Sequence, residues 1–452
     1  MLFQELIDRF AQGTPLTVMT RAVLEHTLDP EPLNQLFEKE AQTQYTRDLL
    51  FSQVIAVMGL VVCGFYSSPH AVYRKRKDLF PVTLKCFYEK LNGIELPLMQ
   101  AMLRDNVKRL TAILQEMGGT VPPLLPGYRV KILDGNCLAG TDHRLKILRE
   151  TASAALPGKS LVVLDPQLGL AIDVFLCEDG HAQERSLLGE VLLTVAAGDL
   201  WIEDRNFCTR DWLHGVANRQ AFVLVREHAG LPWTAMDALR RVGRTETGEV
   251  WEQQVKVLNE AEEELLLRRI VIHLDEPTRD GETTVVLLSN VLATVDALTL
   301  ARLYLARWKI ENLFLVLTET LHCEQKRLGY PKAALFSFTI ALLAYNVLAI
   351  VKGALRVVYG VKQVEEKVSL FHLTEEVRRN YSGMMIALPA EQWLDYRTMG
   401  VAELVKHLLA WARNVNLPEI AKAPSRPKKA KKKPKYDPQT PHVSTAKLLA
   451  GT

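Results

Sequence analysis

From Tyr128 onward the apolar residues stop recurring at helical spacing and fall into short runs, and the order of those runs is what most constrains the fold. Val130-Lys131-Ile132-Leu133-Asp134 reads as a strand, with Leu161 to Leu164 and Leu170 to Leu176 as two more. Glu184 to Ala197 has the period of an amphipathic helix, and Leu200-Trp201-Ile202-Glu203-Asp204 is again a strand. A helix from about Thr209 to Asn218 and a strand from Ala221 to Val225 complete the series.

Strand, strand, strand, helix, strand, helix, strand is the order of a ribonuclease H-like α/β fold with a mixed sheet, which still requires a final helix. Residues 228–293 alternate in β fashion first, notably Arg269 to Leu274 and Thr283 to Leu288, and so form a β-rich insertion. Leu298 to about Leu321 then supplies the helix, and an apolar helix starts near Ala333 after Pro331. The expected core is therefore 121–227 with 294–360. An all-helical N-terminal domain over 1–120, for DNA binding or assembly, precedes it, and a helical region over 361–423 follows. Leu98 to Met117, with Arg104, Lys108 and Arg109 along it, reads equally as a DNA-reading helix and as a packing helix. At 452 residues, two or three domains are expected.

The net charge of +3 conceals an asymmetry. Residues 424–452 hold eight Lys and Arg against one Asp, more than the whole surplus, so the body is slightly acidic. The basic, proline-interleaved end reads as a disordered tail that either solubilises the chain or clings to DNA. Six scattered cysteines without a Cys-x-x-Cys pair oppose a zinc ribbon and a disulfide scaffold and suit a reducing cytoplasm. The first residues lack the basic start of a secretory signal. Leu49 to Tyr66 and Ala333 to Val351 approach membrane-spanning length, but Ser52, Gln53, Ser337, Tyr345 and Asn346 within them favour burial in a soluble core, so no membrane is expected.

Three acids stand where chemistry could be done. Asp134 and Asp204 end apolar strands that lie side by side in such a sheet, and paired carboxylates suit Mg²⁺, with Mn²⁺ able to substitute. Tyr304, Arg307 and Glu311 are spaced i, i+3, i+7 and share one helical face, so Glu311 can bring the third carboxylate. Each acid also has an ordinary explanation: an Asx turn for Asp134, a helix cap for Asp204, an i,i+4 ion pair with Arg307 for Glu311. Asp142, Asp173, Glu203 and Glu319 are rival acids, and Trp201 and Trp308 are expected in the core rather than stacked on a base.

The pattern Tyr304-x-x-Arg307-x-x-x-Glu311, with Asp134 and Asp204 upstream and a β-rich insertion before the Glu, resembles the DDE transposases of the insertion sequence four family. The resemblance covers about residues 128–350. It implies metal-dependent DNA cleavage and strand transfer, with Asp134, Asp204 and Glu311 as metal ligands, Tyr304 and Arg307 on the DNA backbone, and a homodimer that synapses two terminal inverted repeats before joining target DNA. It also implies a prokaryotic, nucleoid-associated enzyme. The family's Lys seven residues after the Glu is Thr318 here, and Lys326, two turns further on, is the substitute DNA contact if the helix persists. A nuclease of the same fold that cuts without joining, and an inactive or domesticated DNA-binding relative, are the alternatives.

Overall fold

The computed structural model describes residues 2–278, 280–423 and 442–451. Its centre is one mixed sheet built from β1 (Arg129–Cys137), β3 (Lys159–Asp165), β4 (Leu170–Cys177), β5 (Asp199–Glu203), β6 (Phe222–Arg226), β7 (Thr234–Ala235), β8 (Arg240–Thr245), β9 (Gly248–Leu258), β10 (Glu264–Leu274) and β11 (Thr284–Ser289), with β2 (Ala154–Leu156) outside it. The order is β4-β3-β1-β5-β6-β11-β10-β9-β7, with β8 also on β9. β1 runs parallel to β5 and antiparallel to β3, and β5 is parallel to β6. This is the ribonuclease H-like arrangement. The insertion extends the same sheet, because β11 pairs antiparallel with β6.

The central strands are apolar on both faces, as strands covered on both sides must be. Ile132, Val162, Leu200, Ile202 and Leu224 face one core, while Leu133, Leu161, Val163, Trp201 and Val223 face a second. The first core runs from Ile7 to Ile420 without a break, so the N-terminal helices share it with the sheet. At its centre is the 29-residue helix Pro331–Tyr359, against which Leu96–Met117, Phe51–Val62, Pro15–Thr27 and Val401–Ala412 all pack. Leu96–Met117 is thus a packing helix on β4 and the central helix, and its Arg104 is paired with Asp173 at 2.8 Å.

Several expectations need correcting. The helix expected over Glu184 to Ala197 is a 3₁₀ turn, Glu184–Leu187, and a short helix, Leu188–Leu192. Gly189 and the β-branched Val191, Thr194 and Val195 weaken a longer one. The helix expected from Leu298 to Leu321 is broken into Ala297–Tyr304, a 3₁₀ turn Leu305–Arg307, Trp308–Leu315 and a π-helical turn Val316–Thr320. In that last turn the Thr318 hydroxyl donates to the Phe314 and Leu315 carbonyls at 3.0 and 3.3 Å, competing with the helix ladder. His322, at φ +41°, closes the segment. The tail also ends in order: β12 (His442–Ser444) pairs parallel with β2, and Thr445–Ala450 is helical. The Lys-rich stretch 424–441 lies outside the described residues.

Candidate active site

β1 and β5 pair in parallel with Leu133 opposite Glu203, so the same offset carried one residue further sets Asp134 beside Asp204. Asp134 does not end its strand as expected, because β3 continues to pair with β1 through Cys137; it ends only the stretch shared with β5. Its carboxylate accepts from the Gly135 N–H at 2.8 Å and from Arg307 Nη1 at 3.2 Å. Arg307 Nη2 donates to Glu311 Oε1 at 2.6 Å. One guanidinium therefore bridges two of the three acids across 173 residues of sequence, which is the planar, two-pronged use that arginine geometry suits.

Asp204 is left free of the local duty that would have explained it. Its side chain caps nothing, and the helix Arg210–Asn218 is capped by the Thr209 hydroxyl, which accepts from the Trp212 N–H. Its neighbour Glu203 points the other way, as strand alternation requires. Glu203 is fully buried, accepts from Trp212 Nε1 at 2.7 Å, and is pushed up to about 8 by burial.

The electrostatics are those of crowded acids. Burial pushes the Asp134 carboxyl up to about 6, and the charges of Asp204 and Glu184 add to the rise, while Arg307 and the Gly135 N–H oppose it. Tyr304 presents a hydroxyl that is buried without a hydrogen-bond partner, and burial lifts its phenol well above the ordinary range amid the charges of Arg307, Asp204, Arg226 and Asp134. Among the described residues no three Asp, Glu, His or Cys side chains converge to ligating distance. Arg307 stands between Asp134 and Glu311. Asp134 and Asp204 nonetheless offer hard carboxylate oxygens side by side on adjacent strands, the donor chemistry that fits a divalent cation.

Residues 126–347 match the family model of the transposase DDE domain. The chain carries a transposase DDE domain. That span holds Asp134, Asp204, Tyr304, Arg307 and Glu311 together with the inserted strands. None of the curated proteins compared matches the chain.

Lys326 is not on the helix of the DDE domain that carries Glu311. The helix stops at Thr320, and Lys326 lies in the following loop with an exposed side chain and a carbonyl that accepts from the Asp142 N–H at 2.7 Å. Trp201 is buried against Trp212 as expected, whereas Trp308 is 57% exposed beside Arg307. Of the rival acids, Asp142 pairs with Arg144, Asp173 with Arg104, and Glu203 with the Trp212 indole N–H. Sequence reading missed Glu184, Arg226 and Glu282. Glu282, between β10 and β11, holds both Arg205 and Arg226 beside the Asp204 turn. Only the position of Arg205 directly after Asp204 hinted at this network.

Proposed function

We propose that this transposase, of the insertion sequence four type, binds the ends of its mobile element, cleaves a phosphodiester there and joins the freed 3′-hydroxyl to target DNA, working as a homodimer in a prokaryotic cytoplasm at the nucleoid. The observation that carries the reading is the Arg307 guanidinium held between Asp134 and Glu311, with Asp204 beside Asp134 and free of any capping role. Mg²⁺ or Mn²⁺ held by Asp134, Asp204 and Glu311 would supply the Lewis acidity that activates the attacking oxygen and stabilises the leaving one. Arg307, released from the two acids, is then the natural partner of a DNA phosphate, exchanging one pair of oxygen acceptors for another. Arg205 and Arg226, now on Glu282, offer further phosphate contacts, and the unpartnered Tyr304 hydroxyl is ready to donate to one.

A second reading, a relative that binds DNA without cutting it, is favoured by Thr318, which brings no charge and spends its hydroxyl on its own helix. Incubating the parent with DNA carrying the element's ends and Mg²⁺ separates the readings. The expected products are cut ends and ends covalently joined to target. Cutting without joining points to a nuclease, and binding without cutting points to the inactive relative.

A further inference from the structure

Opposite Asp134, on the other side of the same strand, Gly135 leaves a notch. A Cβ there would fall 2.4 Å from the Glu184 carboxyl carbon and Oε1, so a side chain at this position would push the carboxylate off the β1 backbone. Glu184 Oε2 accepts from Asn206 Nδ2 at 2.6 Å, and Asn206 Oδ1 accepts from Arg185 Nη2 at 3.3 Å. Asn206 sits in the 3₁₀ turn Arg205–Phe207 that begins at Asp204. Glu184 therefore touches both ends of the pair: β1 one residue past Asp134, and the turn two residues past Asp204. It reaches them from the 3₁₀ turn that opens the crossover between β4 and β5.

We propose that Glu184 is a positioning residue for the acid pair, bracketing the Asp204 turn to β1 through Asn206 so that the two carboxylates hold a common cation. Asp204 has no hydrogen bond of its own that fixes its turn from the side-chain end. The Phe207 N–H closes the turn on the Asp204 carbonyl and Glu282 holds Arg205, and the bracket adds the tie toward β1, in the way that hydrogen-bonded outer residues orient metal ligands. The bond needs an acceptor oxygen in the Gly135 notch, not a negative charge, so glutamine serves as well as glutamate. This inference rests on the reading of Asp134 and Asp204 as cation ligands.

The test is Mn²⁺ affinity of the full chain without DNA, read as free Mn²⁺ by electron paramagnetic resonance. Glu184→Ala and Asn206→Ala are expected to bind at least about tenfold more weakly than the parent, the scale on which such outer partners act. Glu184→Gln, which keeps the acceptor and the volume, is expected to restore binding to within about threefold of the parent. Parental affinity in Glu184→Ala overturns the proposal, and so does a Glu184→Gln as weak as Glu184→Ala, since the charge rather than the bracket would then matter. Asp134→Ala and Asp204→Ala are run alongside. If these two also bind like the parent, the cation reading itself falls; if they lose Mn²⁺ while Glu184→Ala keeps it, only the bracket falls.

Discussion

Glu203 and Asp204 are consecutive acids with opposite fates, because alternation sends one into the core and the other toward the strand tips. Glu203 makes a pH prediction. Its carboxyl stands at about 8 in the fold, against an ordinary value of 4.5, so the folded state holds a proton that the unfolded state gives up. The stability this contributes is fully present below 4.5 and is lost as pH rises to about 8, at up to about 1.4 kcal/mol per pH unit. Glu203→Gln, which keeps an acceptor for Trp212, removes this slope. Thermal unfolding from pH 5 to 9 is expected to show the variant gaining on the parent up to about pH 8; parallel curves would refute a protonated Glu203. At this scale Asp134 and Asp204 stand out in the sequence because each closes an apolar run, and Glu311 because it shares a helical face with Tyr304 and Arg307. Glu184 and Glu282 do not, since their partners Asn206, Arg205 and Arg226 come from other turns and strands. Lys326 was misread because its position depended on a helix that ends early.

Pro331–Tyr359 is the one described helix long and apolar enough to cross a membrane, yet 94% of its most apolar window is buried inside the protein. Its polar residues explain the difference. Asn346, with no exposed surface, accepts from the Ala171 N–H at 2.8 Å and donates to the Ala171 carbonyl at 2.9 Å, pinning β4 where its register with β3 shifts. Asn346→Leu leaves both backbone groups of Ala171 buried and unpaired and is expected to cost about 2–4 kcal/mol. Urea unfolding measures this, and a loss under about 0.5 kcal/mol would mean that β4 does not depend on the bond. Element types were readable here from period and from Pro331. Boundaries were not, because the breaks at Leu305–Arg307 and Val316–Thr320 arise from side chains, such as that of Thr318, that compete with the backbone ladder.

In the whole molecule, helices from both ends of the chain close over one face of a ten-stranded sheet, and the inserted strands lengthen the sheet instead of standing apart. Length predicts two or three domains, and the N-terminal helices, the sheet and the C-terminal helices all contribute to the one hydrophobic core that runs from Ile7 to Ile420. Asp134 and Asp204 lie just past the end of the ladder that the two parallel strands β1 and β5 share. Arg307, Arg205 and Arg226 are already paired with carboxylates, so the phosphate contacts proposed for them require exchange of those partners. The central claim, that Asp134, Asp204 and Glu311 act as one centre, is tested most directly by DNA cleavage in Mg²⁺ with each changed to Ala, at matched DNA binding. All three variants are predicted to bind DNA and remain inert. Near-parental cleavage by any one of them would remove that acid from the centre and contradict the account.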